Sequence, residues 1–210
     1  MYKNGVKRCL DFLLSLCGII VLSPVLLTLC ILVRVKLGSP VLFRQERPGR
    51  NEKIFTLCKF RTMTDKRDEN GNLLPDEVRL TKFGKLLRST SLDELPELFN
   101  ILKGDMSLVG PRPERPELEA VIVKNIPEFK YRLKVKAGLT GYAQIYGRYC
   151  TTSYDKLKLD LTYIRNYSIW MDLKLVLMTP KVLFMKESTD GFEDGLWEDP
   201  ALIDPEEKND

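Results

Sequence analysis

Asp93 and Glu94 are adjacent carboxylates within the segment RSTSLDELPELFNILKG, residues 88–104. Two acids at the start of a helix face the positive end of its dipole, which favours their ionised forms. Such a pair can hold Mg2+, a hard cation that takes one or two carboxylates and keeps water in the rest of its shell. An aspartate beside such a cation can also attack phosphorus as a nucleophile. A structural reading competes with both. Ser91-x-x-Glu94 fits a capping box, and Asp is ordinary in a first helical turn.

Cations form a second set: Lys59 and Arg61 in CKFRTM, Arg88 just before the acidic pair, and Arg112 in PRP. Arg112 lies between two prolines of fixed φ, and a rigid arginine suits bidentate recognition of phosphate. For any one of these the plain alternative is a solvated surface charge. A third set lies in GLTGYAQIYGR, residues 138–148. Gly138, Gly141 and Gly147 allow close backbone approach to a ligand, and Gln144 and Arg148 supply donors. This spacing is neither a P-loop nor a dinucleotide fingerprint.

Other chemistries are excluded by composition. The 210 residues contain no histidine. That removes Ser-His-Asp and Cys-His nucleophiles, histidine-ligated zinc and a histidine base. Five cysteines, Cys9, Cys17, Cys30, Cys58 and Cys150, form no Cys-x-x-Cys pair and read as reduced thiols. Basic residues alternate with acids through most of the chain and no nucleic-acid-binding signature occurs, so nucleic acid is not an expected partner.

The elements that must position these groups begin with Phe12–Val33, a run of 22 residues without a charge. As helix it reaches about 33 Å, one bilayer core. A straight transmembrane span is one reading. Ser23-Pro24 in its middle and basic flanks on both sides (Lys3, Lys7, Arg8; Arg34, Lys36, Arg44) suit another. Proline interrupts the helical ladder, and a helix that bends there and returns keeps both basic ends on one face. The Ser23 hydroxyl can bond a carbonyl that Pro24 leaves free. The charge is segregated accordingly. Residues 1–61 carry 11 basic against 3 acidic side chains, and residues 187–210 carry 1 against 10. A basic front on apolar sequence points to membrane lipids of anionic surface.

Further along, residues 41–64 alternate around Pro-Gly and predict a hairpin, and 65–77 predict an exposed loop. Residues 79–88 predict an amphipathic helix with Leu80, Phe83 and Leu87 inward. Residues 91–104 predict a helix capped by Ser91 and Gly104, with Leu92, Leu95, Phe99 and Leu102 buried and regular helix starting nearer Pro96. Residues 117–136 predict a helix broken at Pro127. Helices over 153–167 and 172–186 follow, and the acidic end reads as a loose tail.

These blocks, in this order, resemble the bacterial sugar transferases, in particular the small monotopic phosphoglycosyl transferases. The resemblance spans roughly residues 3–187 and rests on Ser23-Pro24, FRQERPGRNEKIF, KFRTM, RSTSLDELPELFNILKGDMSLVGPRP and GLTGYAQIYGR. It implies transfer of a phospho-sugar from a UDP-sugar to undecaprenyl phosphate, with UMP released and Mg2+ required, at the cytosolic face of the bacterial inner membrane. It implies Asp93 as nucleophile and Glu94 as Mg2+ ligand, and it marks Lys59, Arg112 and Asp160 as matching polar positions. Ala137 stands where the family commonly has proline.

The expectation is a mixed α/β fold, mostly α-helical with a small sheet. Residues 1–36 would form a re-entrant membrane anchor, 37–187 a cytosolic catalytic domain and 188–210 an acidic tail. Lys59, Arg88, Arg112, Gln144, Arg148 and Asp160 would bind substrate, and Asp93 and Glu94 would bind the metal. A glycosyl transferase releasing UDP and a non-catalytic binding module are the alternatives. The oligomeric state stays open, a homodimer among the options.

Overall fold

The computed structural model describes residues 2, 5–147, 152–183 and 199–202. The apolar run lies within one helix, α1 (Val6–Leu37), of 32 residues. At 1.5 Å per residue that is about 48 Å, more than one bilayer core. Pro24 sits inside it. Having no N–H, Pro24 leaves the Ile20 carbonyl without its usual donor, and the Ser23 hydroxyl donates to that carbonyl at 2.7 Å. One turn on, the Thr28 hydroxyl donates to the Pro24 carbonyl at 2.8 Å.

One face of α1 is covered along nearly its whole length. Asp11, Ser15, Leu26, Leu29, Val33 and Leu37 are buried, at helical spacing, while Leu13, Leu14, Ile20, Val21, Leu27 and Ile31 are exposed. Near its start Arg8 donates to the carbonyls of Ile101 and Leu102 at 2.6 and 2.8 Å, and Asp11 accepts from the Leu108 N–H at 3.0 Å. Its second half packs with Phe60 and Leu87. Both halves therefore lie against the same body of protein. The opposite face of α1 is apolar and uncovered, and the helix is long and apolar enough to cross a membrane.

β1 (Leu42–Pro48) and β2 (Ile54–Phe60) form the expected antiparallel hairpin, with Leu42 opposite Phe60 and Pro48 opposite Ile54. The loop 65–77 turns at Gly71, whose φ is +84°, around an Asp68 carboxylate that accepts from the Asn70 and Asn72 N–H groups. After a short α2 (Asp76–Arg79) comes α3 (Lys82–Ser89), which is a core-packed helix. Leu87 is buried and Phe83 half-buried against α1. Gly84 is required there, because a Cβ would stand 1.8 Å from the Thr62 carbonyl oxygen.

The segment after α3 departs from the capping-box reading. Ser91 has φ +52° and its side chain caps nothing. Leu92–Glu94 form a single 3-10 turn, and α4 (Glu97–Lys103) starts afresh at Pro96 and ends on Gly104 with φ +101°. The restart shifts the helical phase. Glu97, Leu98, Asn100 and Ile101 face inward, whereas Leu92, Leu95 and Leu102 are half-buried and Phe99 is exposed.

β3 (Ser107–Val109) pairs in parallel with β4 (Gly138–Thr140). Gly138 and Gly110 let these backbones meet: a Cβ on Gly138 would lie 2.1 Å from the Gly110 nitrogen. A Cβ on Gly141 would lie 2.2 Å from the Gly110 carbonyl oxygen. These two glycines thus serve backbone-to-backbone packing rather than approach to a ligand. Between the strands lie α5 (Pro116–Asn125) and a 3-10 segment over Pro127–Lys134, so the break at Pro127 is present. α6 (Tyr142–Tyr146), α7 (Ser153–Asn166) and α8 (Ile169–Leu183) follow. α8 buries Leu175 and Asp172 and exposes Ile169, Leu173, Leu177 and Trp170, the last 77% accessible. Part of the acidic end is docked: buried Asp199 accepts from the Ser153 N–H at 2.6 Å, and Asn125 donates to the Ala201 carbonyl at 3.0 Å. Cys9, Cys17, Cys30 and Cys58 are free thiols. Cys150 lies outside the described residues.

Candidate active site

Glu94 is the hub. Lys59 reaches it from β2, with Nζ 2.6 Å from Oε1. Arg112, in the loop after β3, grips the same carboxylate with both terminal nitrogens, Nη1 lying 3.3 Å from Oε2 and Nη2 bonded to Oε1. Burial by itself would raise the Glu94 pKa, but Arg112 and then Lys59 outweigh it and hold the carboxyl well below its usual range. Lys59 also lies 3.3 Å from Oε1 of Glu97, a carboxylate almost fully buried at the start of α4. Burial first, and the Glu94 charge second, raise the Glu97 pKa.

Asp93 is different. Its side chain is buried at 8% exposure, yet its carboxylate forms no hydrogen bond or ion pair among the described residues. Burial raises its pKa to about 6, the neighbouring Glu94 adds to the rise, and Lys59, Arg88 and Arg112 pull it back in part. The 3-10 turn thus presents two adjacent carboxylates in opposite states. One is neutralised by cations, and the other is held back by desolvation and left without a partner.

The cation set divides in the same way. Arg88 is fixed by a hydrogen bond from Nε to the Thr62 hydroxyl at 3.1 Å, within electrostatic reach of Asp93. Arg61 is consumed structurally, donating to the carbonyls of Met63 and Ser39 and pairing with Asp65. Asp160 does not join the cluster directly. It is 1% exposed and pairs with Arg132, Nε to Oδ2, at 2.6 Å. Arg132 in turn donates to the Arg112 carbonyl at 2.8 Å. Its position is therefore behind Arg112, not at a substrate surface. The Gln144 amide donates to the Leu139 carbonyl at 3.1 Å and has no bond to the Glu94 cluster. Arg148 lies outside the described residues.

Three contributors were not evident in the sequence. Glu97 reads as a solvated acid until β2 brings Lys59 to it. Arg132 reads as a surface cation. Asn100 interrupts an apolar stretch, which is its one visible signal. Its side chain accepts from the Cys58 N–H at 3.0 Å and donates to the Thr56 carbonyl at 2.7 Å. It thereby docks α4 on β2 and sets Glu97 and Glu94 opposite Lys59.

The donor set is compatible with Mg2+. The unpartnered Asp93 carboxylate and Glu94 are hard oxygen ligands. Among the described residues no group of three or more acid or thiol side chains converges on a metal position. A cation here would rest on one or two carboxylates, with water and substrate phosphate completing its shell, as Mg2+ prefers.

Paired acids ringed by Lys59, Arg88 and Arg112 sit on a body packed along an apolar helix long enough to cross a membrane, an arrangement of the kind a membrane-associated enzyme of anionic substrates would need. Residues 2–186 match the model of the bacterial sugar transferase family. An uncharacterized sugar transferase of Bacillus subtilis strain 168, EpsL, is 46% identical over 87% of this chain and 89% of its own length. The UDP-glucose:undecaprenyl-phosphate glucose-1-phosphate transferase of Klebsiella pneumoniae is 42% identical over 88% of this chain and 42% of its own length. The UDP-N-acetylgalactosamine-undecaprenyl-phosphate N-acetylgalactosaminephosphotransferase of Aeromonas hydrophila is 36% identical over 85% and 43%. The chain thus spans less than half the length of these last two. It belongs to the bacterial sugar transferase family.

Proposed function

We propose that this chain transfers a phospho-sugar from a UDP-sugar to undecaprenyl phosphate, releasing UMP, through a covalent phosphosugar-aspartate on Asp93. The observation that carries this reading is the contrast within the dyad. Asp93 is a desolvated carboxylate without a partner among the described residues, beside a Glu94 already neutralised by Lys59 and Arg112. The activities for which the Klebsiella and Aeromonas relatives are named supply the substrate class.

In the first half-reaction an Asp93 oxygen attacks the phosphorus that bears the sugar. A new O–P bond forms, the P–O bond to UMP breaks, and UMP leaves with the electron pair. In the second, a phosphate oxygen of undecaprenyl phosphate attacks that phosphorus, and the acyl-phosphate bond breaks to return the Asp93 carboxylate. Both nucleophiles are anions, so neither half needs a base, in keeping with the absence of histidine. Arg112, Lys59 and Arg88 stabilise charge on the non-bridging oxygens, since positioning and electrostatics carry most of phosphoryl transfer. Mg2+, held by Glu94 and Asp93, would supply further neutralisation of the diphosphate.

The anchor reading completes the proposal. α1 enters the cytosolic leaflet of the bacterial inner membrane and returns, a monotopic arrangement supported by the covering of both its halves by one body. That places the site at the depth of lipid phosphates. The test is incubation of the solubilised full chain with undecaprenyl phosphate, Mg2+ and a panel of UDP-sugars. UMP released with one sugar is the expected result. Release of UDP instead would replace this reading with glycosyl transfer.

A further inference from the structure

A cavity of about 480 Å³ lies at the start of α1, away from the dyad. Its lining includes Lys7, Arg8, Arg50, Lys134 and Lys136 against a single carboxylate, Asp11. Neither Asp93 nor any cation of the Glu94 cluster lines it. We infer that this cavity is a second anion site, built to take a phosphate group carried by a larger molecule.

The charge arrangement carries the argument. Asp11 is engaged by the Leu108 N–H, and Lys7 is paired with Asp172. Arg8 faces carbonyls of the α4 C-terminus, which orient it but leave its full charge in place. Lys136 is half-buried and forms no hydrogen bond or ion pair among the described residues. Burial lowers its pKa and the Arg8 charge lowers it further, with Arg50 adding to the effect and Asp11 and Asp105 opposing it. Arg8 and Lys136 are partly buried, and Arg50 and Lys134 stand exposed at the rim. Like charges gathered around one cavity with their acids already committed repel one another, and an anion between them relieves that repulsion. The volume falls within the range of small-ligand clefts, well above the needs of a lone phosphate ion.

Position narrows the source. Lys7 and Arg8 immediately precede the exposed apolar residues Phe12, Leu13 and Leu14. The cavity therefore opens where α1 passes from polar to apolar surroundings, the level of lipid headgroups, where basic pockets bind anionic lipids. A soluble phosphate compound offers the same chemistry, and the experiment separates the two.

The experiment uses the full chain in a non-ionic detergent, with binding followed by 31P NMR line broadening. The probes are monomeric dihexanoylphosphatidylglycerol and inorganic phosphate. The variants are Lys136→Gln/Arg50→Gln, and Arg50→Gln/Lys134→Gln, which changes two exposed side chains and so tests the site if the first fails to fold. Asp93→Asn serves as the control for the dyad. The expected result is at least tenfold weaker binding of the phosphatidylglycerol in the double variants and unchanged binding in Asp93→Asn. The same loss seen with inorganic phosphate, at equal affinity, keeps the anion site and assigns it to a soluble ligand. Unchanged binding of both probes in the double variants overturns the proposal, as does an equal loss in Asp93→Asn. None of these readouts depends on turnover, so the outcome is separate from that of the transferase assay.

Discussion

Arg132 and Asp160 are bonded at 2.6 Å in the interior, and Arg132 passes that contact on to the Arg112 carbonyl. The pair therefore acts on the dyad at one remove. It fixes the backbone from which the Arg112 guanidinium reaches Glu94.

Removing one partner should be severe. Asp160→Asn leaves the Arg132 charge buried and without its carboxylate, at a cost of about 3–5 kcal/mol. The double variant Arg132→Met/Asp160→Leu should recover most of that stability, because a buried ion pair replaced by apolar groups is often neutral. It should not recover activity, since the Arg112 carbonyl has lost its donor. Thermal melting and UMP release, measured on both variants, separate the two effects. Full activity in the double variant would dismiss the positioning role.

Arg112 itself is expected to resist a change that keeps its charge. Its two terminal nitrogens engage both Glu94 oxygens, a fork that a single ammonium cannot reproduce. Arg112→Lys should lower kcat by roughly 10- to 100-fold, the equivalent of one charged hydrogen bond. Comparison of kcat and KM checks this, and a change confined to KM would contradict it.

Some of this arrangement is legible in the sequence and some is not, for a physical reason. The β1–β2 hairpin follows from local alternation around Pro48-Gly49, and the end of α4 follows from Gly104 with its positive φ. Each depends on neighbours in the chain. The buried face of α4 depends on a contact across 44 residues, Asn100 to the Thr56 carbonyl, and on the new start at Pro96. A count of apolar spacing from Ser91 therefore selects Leu92, Leu95, Phe99 and Leu102 and misses Glu97. Likewise Asp160 is visible as a polar residue on a helix, but its partner Arg132 is 28 positions away. The dyad and the cations Lys59, Arg88 and Arg112 could be named early, whereas which of them neutralise Glu94, and the parts played by Glu97, Asn100 and Arg132, required the fold.

Asp93 should tie activity to pH. As a nucleophile it must be ionised, and burial lifts its pKa from 3.8 to about 6. The kcat/KM of the native chain should therefore rise with pH through about 6 and level off above it. A profile that is flat from pH 5 to 8, with chemistry limiting, would remove the ionisation of Asp93 from the mechanism.

The same shift makes a prediction about stability. The folded pKa lies above the unfolded one, so the Asp93 contribution is fully present below about pH 4 and is lost as pH rises through about 6. Asp93→Asn carries no charge at any of these pH values and escapes that loss. Above pH 6 the variant should be more stable than the native chain by up to about 3 kcal/mol, from roughly two pH units at 1.36 kcal/mol each. The advantage should fade below pH 4. Melting curves of both chains across this range test it, while turnover by Asp93→Asn should be abolished. A variant less stable than the native chain at pH 8 would mean that Asp93 is paired, not merely buried.

The last prediction concerns the anchor. Pro24 withholds a donor from the Ile20 carbonyl and Ser23 replaces it, so the helix is interrupted chemically without being left unsatisfied. A helix that returns to the side it came from keeps Lys7 and Arg34 on one face of the membrane, whereas a straight span separates them. An epitope placed before Val6 should be protected from protease added outside intact spheroplasts. Ser23→Ala/Pro24→Ala restores the regular ladder and removes the hydroxyl, which favours an uninterrupted span. A measurable fraction of that variant should become cleavable from outside, with a matching loss of activity in the membrane fraction. Cleavage of the native chain from outside would reject the re-entrant arrangement, because the covered face of α1 would then have to part from the body that carries Asp93.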